Sequence, residues 1–378
     1  MREVLFVVGE ASGDLHAGMV AEALRRMAPG VPMVGVAGTH MEAAGVSVLE
    51  SVDRLAVMGF LEVVRHVPRH WRLLRRLTAR LQTGRVAAVV LLDYPGFNLR
   101  VAEAAHRAGV PVVYYITPQV WAWGAKRLPL LARVVTRAAC ILPFEEPLLR
   151  HHGVPATFVG HPLLDRAGTL PSPTEARQQL GLDPERPVLA VLPGSRRGEV
   201  ARHLVPFVEA ARRVQDRRPE VQVVVSVAPT VSIDPATCPF PLVRGGTFVV
   251  QRAATAGILK SGTNTLEAAV AGLPHVIGYR TNALTYQMAK RLVTIPHIGL
   301  VNVVAGREVS REFVQDAFQP AAVADAVLPL LDESSSGEGA RSLALAGLAE
   351  VRQRLGEPGA ADRVARMILE VAAFTHPA

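Results

Sequence analysis

The chain has 378 residues, of which 49% are hydrophobic and 20% charged, so its composition is that of a folded protein rather than a disordered one. Its net charge of +8 is carried almost entirely by arginine, and with only 5% aromatic residues and no basic tail we expect no nucleic-acid partner. Arginine instead favours phosphate groups or an anionic membrane surface, although arginine-biased codon usage explains the charge as well.

Cysteine usage and hydropathy indicate the compartment. Cys140 and Cys238 lie far apart and without metal-ligand spacing, which is typical of a reducing compartment. The apolar run at 4–8 leads directly into a glycine turn, so it predicts a buried strand rather than a signal peptide. No run reaches the length of a membrane span. We therefore expect a cytoplasmic protein in which any membrane contact is peripheral.

The first half of the chain alternates apolar runs with helical patterns, as in a parallel α/β sheet. We predict a helix at 15–27 and strands at 4–8, 33–37, 86–92, 110–116, 138–142 and 157–159. The loop from Gly9 to Asp14 either holds a ligand or forms a turn in which Ser12 or Asp14 caps the helix. Asp93 ends the strand at 86–92, where burial would raise its pKa and make it a general base. The alternative for Asp93 is a helix cap.

Two further segments of the first half have unusual compositions. Apolar residues and arginines alternate on helical spacing at 58–77, which predicts either a helix face that contacts anionic lipid or a pair of ordinary surface helices. The loop at 117–123 contains Trp121 and Trp123 and either lines a sugar or acyl site or packs at the domain edge.

The second half repeats the alternation after a linker placed within 166–187. We predict strands at 188–192, 221–227, within 242–250, 255–260 and 275–279, and helices at 200–214, 285–292, 321–331 and from about 340 to 374. The length suits two domains, 1–165 and 166–350, followed by a terminal helix in 351–378.

A strand-to-helix turn in this half predicts a phosphate site. Ser261, Gly262 and Thr263 form the turn, where the free N–H groups and dipole of the helix favour an anion. Glu267 follows on the first turns, where its carboxylate would accept hydrogen bonds from sugar hydroxyls. A Gly-Ser-Arg turn after the strand at 188–192 predicts a second diphosphate clamp. The alternative is an ordinary helix capped by Thr263 or Thr265.

An ordered set of short motifs resembles the lipid-A-disaccharide synthase family over nearly the whole chain. The motifs are Gly9-Glu-Ala-Ser-Gly-Asp14, Ala56-Val-Met-Gly59, Asp93-x-Pro-x-Phe-Asn98, Pro118-Gln-Val-Trp-Ala-Trp123, Leu142-Pro-Phe-Glu145, Val159-Gly-His-Pro162, Leu192-Pro-Gly-Ser-Arg196, Ser261-Gly-Thr263 with Glu267, and Asn302 with Ala305-Gly-Arg-Glu308.

The resemblance implies a GT-B fold, with two Rossmann-like parallel-sheet domains facing a central cleft, the first on the acceptor and lipid side and the second binding the UDP-sugar. The final helix is expected to pack back on the first domain. It also implies an inverting transfer of 2,3-diacylglucosamine from UDP-2,3-diacylglucosamine to the 6-hydroxyl of 2,3-diacylglucosamine 1-phosphate. The products would be a β-1,6-linked disaccharide 1-phosphate and UDP, formed without a metal or a cofactor. The family acts at the inner face of the cytoplasmic membrane, so the resemblance favours the lipid-facing interpretation of 58–77. The sequence leaves the oligomeric state open, and a homodimer is one candidate.

The resemblance also implies roles for individual residues. Asp93 matches the family's base, and Arg196 would stabilise the leaving diphosphate. The expected catalytic residues are Asp93, Glu10, Arg196 and Asn302. The expected donor-binding residues are Ser12, Gly13, Gly194, Ser195, Ser261, Gly262, Thr263, Glu267 and Glu308.

This chain departs from the family pattern at several positions. Gly96 stands where a second acid is usual, Tyr94 replaces a small residue, and Val301 stands where proline is common. Lys260 and Asn264 flank the Ser-Gly-Thr turn, where small apolar residues are more usual. The alternatives are another UDP-sugar glycosyltransferase or an epimerase of the same fold, and a binding protein without turnover.

Overall fold

The computed structural model describes residues 2–54, 60–282, 286–287, 295–332 and 339–373, with the backbone alone at 54 and 60–67. The motif at 56–59 therefore lies outside the described residues, and so does most of the predicted helix at 285–292. The chain forms two compact units. Unit 1 consists of Met1–Asp165 and Gly356–Ala378, and unit 2 of Arg166–Leu355.

Unit 1 is built on a seven-stranded sheet in which every pair is parallel, with the order β3-β2-β1-β4-β5-β6-β7. The strands are β1 Glu3–Val7, β2 Met33–Ala37, β3 Ser47–Ser51, β4 Val86–Leu92, β5 Val112–Tyr115, β6 Arg137–Cys140 and β7 Ala156–Phe158. β1 and β4 are buried throughout because helices cover both faces, which explains their unbroken apolar runs. The sequence did not predict β3, whose side chains are exposed or partly exposed and carry no buried apolar run.

The helices of unit 1 alternate with these strands. They are α1 Ala11–Met27, α2 Thr39–Ala43, α3 Phe60–Gln82, α4 Pro95–Arg107, α5 Leu128–Val134, α6 Glu145–His151 and α7 Leu163–Ala167, the last of which ends in unit 2. The predicted start of α1 at residue 15 is wrong. The helix begins at Ala11 because the Asp14 N–H already donates to the Glu10 carbonyl at 3.0 Å. Ser12 and Gly13 therefore lie in the first helical turn rather than in a loop.

Unit 2 contains a six-stranded parallel sheet with the order β10-β9-β8-β11-β12-β13. The strands are β8 Val188–Leu192, β9 Gln222–Val227, β10 Leu242–Arg244, β11 Ala256–Lys260, β12 His275–Tyr279 and β13 Glu312–Val314. The helices are α8 Pro173–Gln179, α9 Arg197–Arg217, α10 Thr247–Ala253, α11 Asn264–Ala271, α12 Leu300–Ala305, α13 Pro320–Val327 and α14 Ala340–Arg354.

The strand predicted within 242–250 is only partly correct. It ends at Arg244, and the β-branched residues after it lie in α10. Gly245 and Gly246 have φ values of +67° and +61°, a left-handed conformation that ends the strand and starts the helix. Burial of Phe248 and Val250 in the core outweighs the weak helix propensity of the β-branched residues.

The chain ends in unit 1. Helix α15, Ala360–Val371, packs on α1, and Val364 and Ile368 are fully buried in the same apolar cluster as Leu24. Gly356 and Gly359, with φ values of +86° and +93°, separate α15 from α14. The boundary therefore lies between Leu355 and Gly356, after the end of α14, rather than at the predicted 350/351.

Both units have the strand order of a doubly wound sheet, with a reversal point between β1 and β4 in unit 1 and between β8 and β11 in unit 2. In open α/β sheets ligands bind beyond the carboxyl ends of the strands at this reversal. The loops after these four strands contain Glu10, Asp93, Arg196 and Ser261, so the topology places a candidate site in each unit.

Candidate active site

The backbone is strained where β4 ends in unit 1. Asp93 and Tyr94 have φ values of +43° and +48°, a left-handed conformation that costs a non-glycine residue about 1–2 kcal/mol. The Asp93 N–H donates to the Ile116 carbonyl at 3.2 Å, and the Asp93 carbonyl accepts from Asn98 Nδ2 at 2.8 Å and Tyr114 Oη at 2.7 Å. These bonds hold a half-buried carboxylate at the sheet edge. The N-cap residue of α4 is Tyr94 rather than Asp93, and the Tyr94 side chain makes no cap hydrogen bond within the described residues.

Tyr94 ties this turn to two other segments. Its ring covers Gly9, where an added Cβ would lie 2.2 Å from Tyr94 Cγ, so no larger residue fits there. Its hydroxyl lies 2.6 Å from His70 Nε2 on α3, and burial raises the pKa of Tyr94 above its ordinary value. The residue that departs from the family pattern beside Asp93 thus fixes the Asp93 turn against β1 and α3.

The loop after β1 presents a polar pair. Ser12 Oγ donates to Glu10 Oε1 at 2.7 Å, and both side chains are exposed, whereas Gly13 is buried. The predicted cap of α1 by Ser12 or Asp14 is wrong, because α1 has no side-chain cap bond. The Asp14 carboxylate instead accepts the N–H groups of Gly38 at 2.7 Å and His40 at 2.9 Å and so caps α2.

Unit 2 has a pocket of about 330 Å³ at its own reversal point. Seven of the predicted residues line it: Gly194, Ser195, Arg196, Ser261, Gly262, Thr263 and Glu267. The pocket is also lined by Glu199, Ser226 and Thr247, which the sequence did not predict, together with Lys260 and Asn264. Thr247 was missed because the start of α10 was taken for a strand. Glu199 was missed because its place at the pocket depends on a contact with Lys260, 61 positions along the chain.

Two side-chain hydrogen bonds hold the Ser-Gly-Thr turn in place. Ser261 Oγ donates to the Ile298 carbonyl at 2.7 Å, and Thr265 Oγ1 donates to the Gly262 carbonyl at 2.8 Å. Helix α11 starts at Asn264 without a side-chain cap bond, so the alternative of a helix capped by Thr263 or Thr265 is wrong. The N–H groups of Thr265, Leu266 and Glu267 donate to the carbonyls of Gly262 and Thr263. Within the described residues, the N–H groups of Gly262, Thr263 and Asn264 at the pocket make no such bond, and these are the donors left for an anion.

Glu267 lies on the first turn of α11 and lines the same pocket. Burial raises its pKa above the ordinary value, and the charge of Arg166 partly opposes this shift. Among the residues that the structure describes, no protein group donates a hydrogen bond to this carboxylate. It can therefore accept hydrogen bonds from hydroxyl groups of a ligand.

A carboxylate and two cations meet at the other side of the pocket. Glu199 Oε1 lies 2.9 Å from Lys260 Nζ and 3.5 Å from an Arg196 nitrogen, while Oε2 accepts the Ser195 N–H at 3.1 Å. Burial raises the pKa of Glu199, but Lys260, the Ser195 N–H and Arg196 together bring it below the ordinary value. Gly194 has φ +127°, and an added Cβ would lie 2.8 Å from Glu199 Cβ.

Asn302 and Glu308 are not among the residues that line this pocket. Asn302 is fully buried; its Nδ2 donates to the Ser310 carbonyl at 2.7 Å and to Glu312 Oε1 at 2.8 Å. Its Oδ1 accepts the N–H groups of Val309 and Ser310 at 2.8 and 2.9 Å. Glu308 is exposed, and its carboxylate accepts the Glu312 N–H at 3.4 Å. The amide of Asn302 thus holds the segment leading into β13.

Comparison with known proteins identifies the family. The family model described as lipid-A-disaccharide synthetase matches residues 4–354. The chain belongs to the lipid-A-disaccharide synthase family. A lipid-A-disaccharide synthase from Geobacter metallireducens is 40% identical, with 98% of this chain and 97% of the relative covered. This protein is accordingly a glycosyltransferase of lipid A biosynthesis.

Solved structures show the GT-B fold. The calicheamicin glycosyltransferase CalG4 has a TM-score of 0.62 at 18% identity, covering 99% of each chain. S. aureus MnaA, solved with UDP, has a TM-score of 0.66 at 13% identity, covering 99% of this chain and 98% of its own. At these sequence identities, the structural similarity is evidence for a shared fold and for nothing more.

The two tryptophans of the loop at 117–123 lie in different environments. Trp121 Nε1 donates to Glu145 Oε1 at 3.0 Å, whereas Trp123 is 57% exposed. Glu145 is almost fully buried, and burial raises its pKa to about 7. The N–H groups of Leu142, Trp121 and Ile141 donate to its carboxylate and partly oppose this rise in pKa. The loop therefore both packs at the domain edge and presents one large apolar side chain.

Helix α3 has two different faces where its side chains are described. Leu73, Leu77 and Leu81 are buried at a spacing of four residues, whereas Trp71 is 51% exposed with the Arg75 guanidinium 5.2 Å from its ring centroid. The alternative of two separate helices at 58–77 is wrong, because α3 runs from Phe60 to Gln82 with Pro68 inside it. Within the described residues, no helix is long and apolar enough to cross a membrane.

Proposed function

We propose that this protein transfers 2,3-diacylglucosamine from UDP-2,3-diacylglucosamine to the 6-hydroxyl of 2,3-diacylglucosamine 1-phosphate. The observation that carries the proposal is the pocket of unit 2, which combines an anion site with a hydrogen-bond-accepting carboxylate. Unit 1 contributes a second carboxylate, Asp93, at its own sheet edge. A donor site and a base on separate units suit a transfer between two substrates.

The pocket matches the parts of a UDP-sugar. The diphosphate would lie at the N–H groups that begin α11 and near the Arg196 guanidinium, because both favour an oxyanion. The ribose hydroxyls would donate to Glu267. The structural neighbour MnaA was solved with UDP, which supports a uridine nucleotide as the ligand of this fold.

The proposed reaction is a single displacement. Asp93 accepts the proton of the acceptor 6-hydroxyl, whose oxygen forms the new bond to the anomeric carbon of the donor. The bond from that carbon to the β-phosphate oxygen breaks, and its electron pair leaves on UDP. Arg196 and the N-terminus of α11 stabilise the charge that develops on the diphosphate. The configuration at the anomeric carbon is inverted, and Asp93 later releases its proton to water.

The remaining predicted residues take supporting roles in this proposal. Glu10 and Ser12 form a preoriented pair that would bind sugar hydroxyls near Asp93. Gly13 lets α1 pack closely on the residue that follows β1, since it is buried and an added Cβ would lie 3.3 Å from Val8 Cβ. Asn302 is a positioning residue, since its amide is fully used in holding the Ser310 backbone and Glu312. Glu312 in turn accepts the N–H groups of Ile298 and Gly299, next to the segment that Ser261 contacts. Glu308 steadies the start of β13.

We also propose peripheral attachment to an anionic membrane through the exposed face of α3, formed by Trp71, Arg72, Arg75 and Arg76. An exposed tryptophan among arginines suits the headgroup region of a bilayer. Wild type should sediment with phosphatidylglycerol vesicles, and Trp71→Ala together with Arg75→Ala should reduce the bound fraction several-fold. Arg213→Ala, an exposed arginine in unit 2, is the control. If the Trp71→Ala and Arg75→Ala double variant bound vesicles as well as Arg213→Ala does, the α3 face would not be the attachment site.

The experiment that tests the reaction is product analysis by mass spectrometry. Wild-type protein receives UDP-2,3-diacylglucosamine with 2,3-diacylglucosamine 1-phosphate, and UDP release is measured in the same sample. We expect disaccharide 1-phosphate and UDP in equal amounts. A parallel reaction with UDP-N-acetylglucosamine alone tests the epimerase alternative. Binding of the donor without disaccharide, or epimerised sugar in the parallel reaction, would overturn the proposed acceptor.

A further inference from the structure

Lys260 forms a largely buried ion pair inside the donor pocket. Its Nζ lies 2.9 Å from Glu199 Oε1, and both side chains are only 14% exposed. Lys260 is the last residue of β11, so it precedes the Ser-Gly-Thr turn directly. Burying two charges is unfavourable unless their surroundings compensate for the lost water, and a pair retained in a pocket is therefore a candidate for ligand binding.

The ammonium is directed at the turn. A Cβ built on Gly262 would lie 3.6 Å from Lys260 Nζ and 3.6 Å from Asn264 Oδ1. Lys260 thus lies over the same backbone whose N–H groups we assign to the diphosphate. An ammonium has three N–H donors, and Glu199 is the hydrogen-bond acceptor for one of them within the described part of the chain. Two donors remain for another oxyanion.

The groups that contact the Glu199 carboxylate indicate which kind of ligand this part of the pocket can bind. Its carboxylate oxygens contact an ammonium, a guanidinium and a backbone N–H. These are the groups that proteins use to bind phosphate. The lowered pKa of Glu199 keeps it ionised, and an ionised Glu199 holds the Lys260 ammonium at the turn.

We propose that Lys260 is a direct ligand of the donor's diphosphate and that Glu199 orients its ammonium. This inference rests on the proposed UDP-sugar donor and adds a ligand where the family more often has a small apolar residue. Asn264, another departure, also lies close to Gly262, with its Oδ1 3.6 Å from the position of an added Cβ. Its Oδ1 is buried and has no hydrogen-bond partner among the described residues, so rotation of the amide would bring an N–H donor to the same point.

The proposal is tested by calorimetric titration of uridine, UMP and UDP into wild type, Lys260→Met and Lys260→Arg. Methionine keeps much of the side-chain volume and removes the charge. We expect Lys260→Met to weaken UDP binding by about tenfold, which is typical for loss of one charge-assisted hydrogen bond, and to leave uridine binding unchanged. Lys260→Arg should recover most of the loss. Lys126→Met, an exposed lysine of unit 1, should bind all three ligands as wild type does.

A second variant separates direct contact from neutralisation of Glu199. In Lys260→Met the Glu199 carboxylate is no longer paired with an ammonium and repels the diphosphate. Adding Glu199→Gln should therefore restore part of the UDP affinity, but not all of it, because the phosphate contact is still missing. Full restoration would show that Lys260 only offsets Glu199 and would overturn the proposal.

Three further results have distinct meanings. Equal weakening of uridine, UMP and UDP in Lys260→Met would indicate a general disturbance of the pocket and overturn the phosphate contact. Unchanged UDP binding in Lys260→Met would overturn it as well. Wild type that binds UDP no better than uridine would instead contradict the proposed diphosphate site itself, before Lys260 is considered.

Discussion

The two sheet edges of this protein share a strand order but differ in chemistry. At the reversal point of unit 1, two consecutive non-glycine residues are held in a left-handed conformation beside a half-buried carboxylate. At the reversal point of unit 2, a helix N-terminus, two cations and two carboxylates surround a pocket. The same topology thus supports a candidate base in one unit and an anion site in the other. Topology places a site, and the side chains on the loops decide its chemistry.

The largest expected change in nucleotide affinity comes from a substitution at Glu267. We expect Glu267→Gln to weaken UDP binding roughly tenfold to a hundredfold, because a charged acceptor for the ribose hydroxyls is lost. The affinity for 2′-deoxy-UDP should fall less, since that ligand lacks one of the hydroxyls. Titration calorimetry measures both. Glu209→Gln, which changes an exposed acid of unit 2, is the control. Equal losses for the two ligands would argue against a ribose contact.

Because Tyr94 packs on Gly9, a substitution at Gly9 should disturb the sheet edge of unit 1 and leave the pocket of unit 2 unchanged. The new methyl group of Gly9→Ala would lie 2.2 Å from Tyr94 Cγ, so we expect a loss of about 1–3 kcal/mol in unfolding free energy. Turnover should fall while UDP binding is unchanged, because the pocket of unit 2 is untouched. Denaturant unfolding, a turnover assay and calorimetry check the three expectations.

A double variant checks the cause of that loss. Tyr94→Ala removes the clashing ring, so Gly9→Ala combined with Tyr94→Ala should be more stable than the sum of the two single changes predicts. Strictly additive losses in unfolding free energy would contradict the contact between Gly9 and Tyr94.

A further expected effect concerns pH. Because burial raises the pKa of Glu145 to about 7, the folded protein keeps this proton in a range where the unfolded chain has released it. Stability from this group is therefore fully present below the unfolded pKa and falls as pH rises to about 7. Trp121 donates to the same carboxylate, so its fluorescence should titrate with a midpoint near pH 7. A transition that persists in Glu145→Gln would assign it to another group.

Much of the fold follows from the apolar runs, because fully buried parallel strands such as β4 and β8 leave a strong pattern. The residues that line the pocket of unit 2 were predictable for a similar reason: strand-to-helix turns with glycine and hydroxyl residues place N–H groups at the sheet edge. β3 was missed because an exposed edge strand has no apolar run, and α10 because burial outweighed propensity at Phe248 and Val250.

The parts of the site that sequence could not predict depend on contacts between distant residues. The pairing of Glu199 with Lys260 joins residues 61 positions apart, and the hydrogen bond between Tyr94 and His70 joins residues 24 positions apart. Asn302 shows the opposite case, since its motif pointed to the site whereas its four hydrogen bonds assign it to positioning the β13 segment. Spacing alone does not distinguish a ligand-binding amide from one that is satisfied internally.

The division of labour between the two edges is tested most directly by measuring kcat and the UDP dissociation constant on one preparation of Asp93→Asn. Asp53→Asn, an exposed acid of the same unit, serves as the control. If Asp93 is the base and unit 2 alone binds the nucleotide, kcat should fall by about 10²–10⁴ while the dissociation constant stays at the wild-type value. Normal turnover in Asp93→Asn, or a loss of UDP affinity that matches the loss of turnover, would contradict the account.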